Sequence, residues 1–149
     1  MKEITSEQKT QLSQPIPEWA LKKHPTKTYL TVIHPMSVIE RLNQVFGVGT
    51  WHFKTEFISC DEVDQKSRMA YMSAVRGILT IPDYNIHIEQ YGGSTNDDKG
   101  DALKGGATDA LTKCASYLGV GESIYKGLGN GGEEKKTTTN TNYSDDEPF

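Results

Sequence analysis

Hydrophobic positions along the 149-residue chain follow two periods, and the switch between them outlines the fold. The string TWHFKTEFI alternates, with Trp51, Phe53 and Phe57 on one side and His52, Lys54 and Glu56 on the other, which predicts a half-buried strand. RMAYMSAVRGILTI, from Arg68, is apolar at most positions except Arg76 and predicts a longer strand covered on both faces. Pro82-Asp83 predicts a tight turn, after which YNIHIEQY alternates again. The period then changes. From Gly100 to Gly127, Leu103, Ala107, Ala110, Leu111, Cys114 and Leu118 recur at spacings of three and four and form one helical stripe. Ser94, Thr95, Asn96 and Asp97 offer N-caps, and Gly119 offers a C′ stop.

Three antiparallel strands followed by a long helix make an α+β pattern, a β-β-β-α core. Upstream, residues 1–14 read as a short polar helix or a frayed arm, ended by Pro15 and Pro17. PEWALKK predicts another helical turn, and Thr28 to Ile33 a strand. Pro35 opens a flanking helix whose apolar face is Met36, Ile39, Leu42, Val45 and Phe46. After Lys126 the apolar residues nearly vanish, so GLGNGGEEKKTTTNTNYSDDEPF predicts a disordered C-terminal tail with a distinct tip. The expected organisation is an arm (1–14), one domain (15–127) and a tail (128–149).

Gly105-Gly106 inside the long helix needs a reason, since each costs about 1 kcal/mol relative to Ala. On the wheel drawn by the stripe, Gly106 shares the non-core flank with Ala102, Asp109 and Lys113. Small residues there let another backbone, a neighbouring subunit or a nucleic-acid strand come close.

The net charge of −4 is unevenly spread. From Glu133 onward there are five acids and two lysines, whereas residues 1–132 hold 14 basic and 15 acidic groups. A nearly neutral body neither demands nor excludes DNA, and clustering decides. Two cysteines, Cys60 and Cys114, have no metal-ligand spacing and read as reduced thiols. With a polar N-terminus and no apolar run of spanning length, the expected compartment is the cytoplasm, with no membrane partner.

Candidate chemistry is sparse. NDDKGD lacks the remaining ligands of a calcium loop, and acids at a helix N-terminus are favourable without a metal. GLGNGG has neither the preceding strand nor the following helix of a phosphate loop. His24, His34, His52 and His87 are scattered, with no nucleophile and carboxylate in a triad pattern. No catalytic residue, metal or cofactor is expected. Lys113 stands four residues after Asp109, the spacing of a surface ion pair, or else contacts phosphate. It lies about 110° from the stripe's centre and Lys104 about 70° on the other flank, so one helix face does not carry both to one phosphate. Arg76 inside an apolar strand points either to a buried ion pair or to a phosphate contact.

At these residues the chain resembles a family. PEWA, TYLTVIHPMSVIERLNQVFGVGTWHF, AYMSAVRGILTI, YGGS and GDALKGGATDALTKCASYLGVGESIYKG occur in the order seen in the annealing domain of the Rad fifty-two recombination proteins and the similar phage Sak proteins. The resemblance runs from about Pro15 to Lys126. It implies a ring of subunits that holds single-stranded DNA in a basic groove and anneals complementary strands without ATP or metal. It maps DNA contacts onto Lys113, Lys104 and Arg76, and Lys54 and Lys99 join them as candidates. The chain departs from the family pattern at Thr112, Ser116 and Ser37, where the family is often basic, and at Val48, where it has an aromatic residue.

The tip SDDEPF resembles a second family, the bacterial single-stranded DNA-binding proteins, which end in an acidic stretch closing with Pro-Phe. Asp145, Asp146, Glu147, Pro148 and Phe149 are thus expected to bind host proteins that recognise such tips. The expected function is single-strand annealing in phage recombination or repair. The alternatives are an OB-fold single-strand binder, disfavoured by the long helix after three strands, and a nuclease resting only on the acid cluster.

Overall fold

A computed structural model describes residues 1–129; the acidic tip and most of the expected tail lie outside the described residues. Lys66 and Ser67, both at positive φ (49° and 65°), fold strand β3 (His52–Gln65) back onto β4 (Arg68–Ile81) in a two-residue turn. Pro82–Tyr84, with Asn85 left-handed at φ 53°, returns β4 into β5 (Ile86–Asn96). The three strands form an antiparallel sheet in the order β3-β4-β5, so the β-β-β part of the expectation holds. Helix α3 (Lys99–Ser116) follows and lies across β4 and β5.

In β4, Ser73, Val75, Gly77, Leu79 and Ile81 are buried beneath α3, while Ala74, Arg76, Ile78 and Thr80 alternate onto the other face and are only half-buried. The expectation of a strand covered on both faces therefore fails. Phe53 and Phe57 stand opposite Leu79 and Val75 and share the helix-bearing face, as the alternation predicts. Yet α3 is centred on the other two strands, and Phe57 remains 65 % exposed. The ladder shifts between Phe57 and Ser59, and β3 continues through a polar stretch to Gln65. Those residues carry no apolar alternation because few of them are buried.

The glycines of α3 answer to the chain's own sheet. A Cβ on Gly92 in β5 would come within 2.2 Å of the Gly106 carbonyl oxygen and 2.3 Å of the Ala110 nitrogen. On Gly106 a Cβ would stand 2.7 Å from Ser73 Oγ, and on Gly105 it would stand 2.4 Å from Ser94 Oγ. The helix is thus laid onto β4 and β5 along Ala102, Gly106 and Ala110, all buried. The flank expected to receive a subunit or a nucleic-acid strand is the inner face, and the approaching backbone is intramolecular. Leu103 and Ala107, expected at the centre of the stripe, sit at its edge and are half-buried.

Ends of α3 are fixed by local chemistry. Asp98 is the N-cap, its carboxylate accepting from Asp101 N–H at 2.9 Å, one residue beyond the expected caps. At the other end Gly119 (φ 99°) permits Val120 N–H to reach Ala115 O and Gly119 N–H to reach Ser116 O, the paired bonds of a Schellman stop. A short α4 (Glu122–Tyr125) follows.

The flanking elements close the core from the other side. Helix α2 (Pro35–Phe46) buries Val38, Leu42, Val45 and Phe46, but Met36 points outward at 46 % exposure and Ser37 turns inward. PEWALKK is a 3-10 turn at Glu18–Ala20 followed by β1 (Leu21–Lys23), which pairs antiparallel with β2 (Thr31–Ile33). Helix α1 (Ser6–Leu12) carries a capping box at Thr5 and Gln8. Its Leu12 and the following Ile16 are almost wholly buried with Leu79, Ile81, Leu111 and Val120, so this segment belongs to the core.

Candidate nucleic-acid interface

The face of the sheet turned away from α3 carries a charged ladder. Arg76 stands between Glu56 on β3 and Tyr91 on β5 in the strand register. Its guanidinium reaches Glu56 at 3.3 Å and Glu89 at 2.5 Å, with the side chain 35 % exposed. Lys54 bonds the other oxygen of Glu56 at 3.7 Å, and His87 bonds Glu89 at 3.1 Å. The hydrogen bond from Arg76, and then that from His87, holds Glu89 below the ordinary carboxylate range, while Glu89 raises Arg76. Arg76 is therefore an ion-paired residue on an open face, between the two readings of its sequence. A phosphate reaching it must displace a carboxylate.

Lys113 is paired as its spacing predicts, but not on a solvated surface. Its Nζ lies 3.6 Å from Asp109 Oδ2, and the two side chains are only 20 % and 11 % exposed. The same carboxylate accepts from Gly93 N–H at 2.9 Å and so ties α3 to β5. Burial pushes Asp109 up to about 6, against the opposing pull of the Gly93 N–H and Lys113. Lys104 and Lys99 are exposed and have no acidic partner among the described residues. The five candidates thus divide between two sides of the sheet: Lys54 and Arg76 on the open face, Lys99, Lys104 and Lys113 on the helix.

Of the four positions that depart from the family pattern, Val48 is exposed and the other three turn their hydroxyls back onto their own helices. Thr112 is buried and returns its hydroxyl to Thr108 O at 2.8 Å. Ser116 does the same to Lys113 O, and Ser37 to His34 O. The acid cluster is spent on the fold: Asp98 caps α3, and Asp97 lies 3.5 Å from Arg68. Among the described residues no group of three or more His, Cys, Asp or Glu can hold a metal, and no helix is long and apolar enough to cross a membrane. Both cysteines are free, and burial raises Cys114 to about 11.

Two cationic features were not anticipated from the sequence. Arg41 on α2 is almost fully buried and donates to the carbonyls of Gln11, Leu12, Gln14 and Pro15 at 2.9–3.1 Å. Desolvation lowers its pKa, and the terminal carbonyls of α1 give it the negative end of a helix to face. A lone arginine among apolar helix positions was the available signal. The second feature is the β1–β2 hairpin, where Lys22 and Lys23 are exposed between Trp19 and Tyr29, exposed at 59 % and 75 %. The run KKHPTK, flanked by aromatic residues, was legible as a basic cluster.

The model of the Rad52/22 family double-strand break repair protein matches residues 4–147. No curated protein matches the chain. The match spans almost the entire sequence, including α1, both strand pairs and α3, and agrees with the motifs from PEWA to SIYKG. The chain belongs to the Rad52/22 family of double-strand break repair proteins.

Proposed function

We propose that this chain binds single-stranded DNA as a ring-forming oligomer and anneals complementary strands without ATP, serving a phage in the cytoplasm of a bacterial host. The observation that carries the reading is the family match over residues 4–147. Proteins of this family work in recombination and repair by annealing; they bind single-stranded DNA and typically form oligomeric rings. The chemistry asked of the chain is electrostatic, since annealing makes and breaks no covalent bond. Lysines hold phosphates and leave the bases free to meet a second strand.

Exposed Lys104 and Lys99 supply such charges directly. Lys113, Arg76 and Lys54 contribute by exchanging a carboxylate for a phosphate. Assembly is supported by the sheet, whose outer strands β3 and β5 each have one edge without a strand partner among the described residues. Exposed Phe57 beside the β3 edge adds apolar surface for a neighbouring subunit. The resemblance to Sak proteins and the acidic tip support the phage source.

Mixing complementary oligonucleotides tests the reading. The expected result is faster pairing with the protein, at the same rate with and without ATP, over a range of salt. Equal pairing with and without protein overturns it; blocked pairing indicates a protective single-strand binder, and shortened strands a nuclease.

A further inference from the structure

The charged ladder on the open sheet face holds Arg76 differently from the other paired cations. Lys2, Lys54, Arg68, Lys113 and Lys126 each lie within 4 Å of one acidic residue, whereas Arg76 lies that close to two. Glu56 stands directly across from Arg76 on β3, and Glu89 stands across from Ile78 on β5, diagonal to Arg76 on the same face. Glu89 Oε2 is the nearer acceptor, 2.5 Å from one guanidinium nitrogen, and Glu56 Oε2 lies 3.3 Å from the other. The second oxygen of each acid has its own basic neighbour, His87 at 3.1 Å from Glu89 and Lys54 at 3.7 Å from Glu56. Across the three strands the order is thus Lys54, Glu56, Arg76, Glu89, His87, with basic groups and acids alternating.

This ladder does little for the fold. All five side chains are at least 35 % exposed, and ion pairs in that setting add little stability. Its effect falls on what else Arg76 can hold. A guanidinium fork donates to carboxylate and phosphate oxygens in the same geometry, so Glu89 occupies the donors that a DNA phosphate would use. A phosphate arriving there releases cations from the DNA, while the displaced carboxylate takes one up from solution. The two counts offset each other, so contact at Arg76 is weaker and less salt-dependent than contact at an unpaired arginine. Annealing requires a protein to hold a strand and then give up the duplex, and an exchangeable contact suits both steps.

We propose that Glu89 is an internal competitor for phosphate at Arg76 and keeps the sheet-face contact with single-stranded DNA exchangeable. The proposal rests on the annealing function argued above and assigns the residue that sets the strength of one of its contacts. Glu89 is a positioning residue, acting through Arg76. Glu56 assists, but it also holds Lys54, so its removal changes two cations at once.

The test uses the full chain and a fluorescent thymidine oligonucleotide, with affinity measured across a salt series at one pH. Glu89→Gln keeps the shape of the side chain and removes its charge. It is expected to bind about threefold more tightly at low salt, within the range an exposed ion pair spans. The salt slope is expected to steepen by about 0.7, the value for one phosphate contact on a single strand that is no longer offset. The gain should appear as slower dissociation into excess unlabelled oligonucleotide. In an Arg76→Gln chain the same substitution is expected to leave affinity and slope unchanged, because the donors at issue are gone. Circular dichroism matching the parent shows that these half-exposed substitutions keep the fold. If the parent binds no oligonucleotide, the annealing function and the internal competition both fall. If the parent binds and Glu89→Gln binds no more tightly, the internal competition alone is wrong. An equal gain in the Arg76→Gln chain also overturns it, since the carboxylate then repels DNA without acting through Arg76.

Discussion

Asp109 shows how one side chain serves the fold at some cost. Its carboxylate joins α3 to β5 through Gly93 N–H and holds Lys113, yet it is 11 % exposed and its pKa is raised from 3.8 to about 6. Across pH 4–6 the folded chain keeps a proton that the unfolded chain releases. Stability therefore falls as pH rises through that window, and the full cost of the buried charge is present above it. Asparagine at this position stays neutral and keeps an oxygen for Gly93 N–H. The expected outcome is that Asp109→Asn gains about 1 kcal/mol on the parent between pH 5 and pH 7, read by urea unfolding at both values. Comparing the two proteins cancels the other titrating groups. A difference that stays flat, or shifts toward the parent, means the carboxylate is not buried as described. Lys113 was legible in sequence as half of an i,i+4 pair; its burial was not, because that depends on how closely α3 sits on β5.

That closeness is set at the scale of the element. Gly92 on β5 faces the backbone of α3 at Gly106 and Ala110, and backbone atoms cannot rotate away as a side-chain tip can. Gly92→Ala must therefore push the helix off the sheet, opening space around Ala102, Ala110 and Cys114. A loss of about 3 kcal/mol or more is expected, comparable with large disturbances of a packed core. Gly100, in the first exposed turn, has only the Asp98 carboxylate nearby at 3.1 Å, and Gly100→Ala is expected to change stability by less than about 1 kcal/mol. Denaturant midpoints of the two variants decide; similar losses would contradict the close-packed interface. The elements were largely readable from the chain. Alternation located β3 and β5, a nearly continuous apolar run located β4, and the three-four spacing located α3 and α2. Periodicity did not reveal which flank of α3 is inner, because glycine and alanine weigh little in a hydrophobic pattern even when they mark the tightest contact. It also stopped β3 early, since Asp61 to Gln65 lie in a projecting hairpin with little burial to encode.

At the scale of the whole molecule, basic side chains of the described residues stand on the laddered sheet face, the exposed side of α3 and the β1–β2 hairpin, three surfaces that differ in how the sequence marks them. Family motifs led to the first two, while the third lay between motifs and was visible only as KKHPTK with aromatic neighbours. Placing the candidates in one groove was beyond the sequence, since it does not say on which side of the sheet α3 lies. A fourth charged segment has the opposite sign. Asp145, Asp146 and Glu147 precede Pro148 and Phe149, and a stretch rich in Gly, Thr and Asn separates them from the described residues. Acids beside a phenyl ring suit a partner pocket with a basic rim and an apolar floor, the recognition expected of host proteins that bind the tip of single-stranded DNA-binding proteins. The same acids suit the lysines proposed above to hold DNA, and would then compete with phosphate at low salt. Deleting residues 143–149 is thus expected to leave assembly by light scattering unchanged and to abolish capture of those host proteins. DNA affinity should stay level or rise slightly at low salt, with any rise vanishing as salt screens the acids. A truncated chain that still captures the same host proteins as efficiently as the full chain would rule out recruitment through the tip.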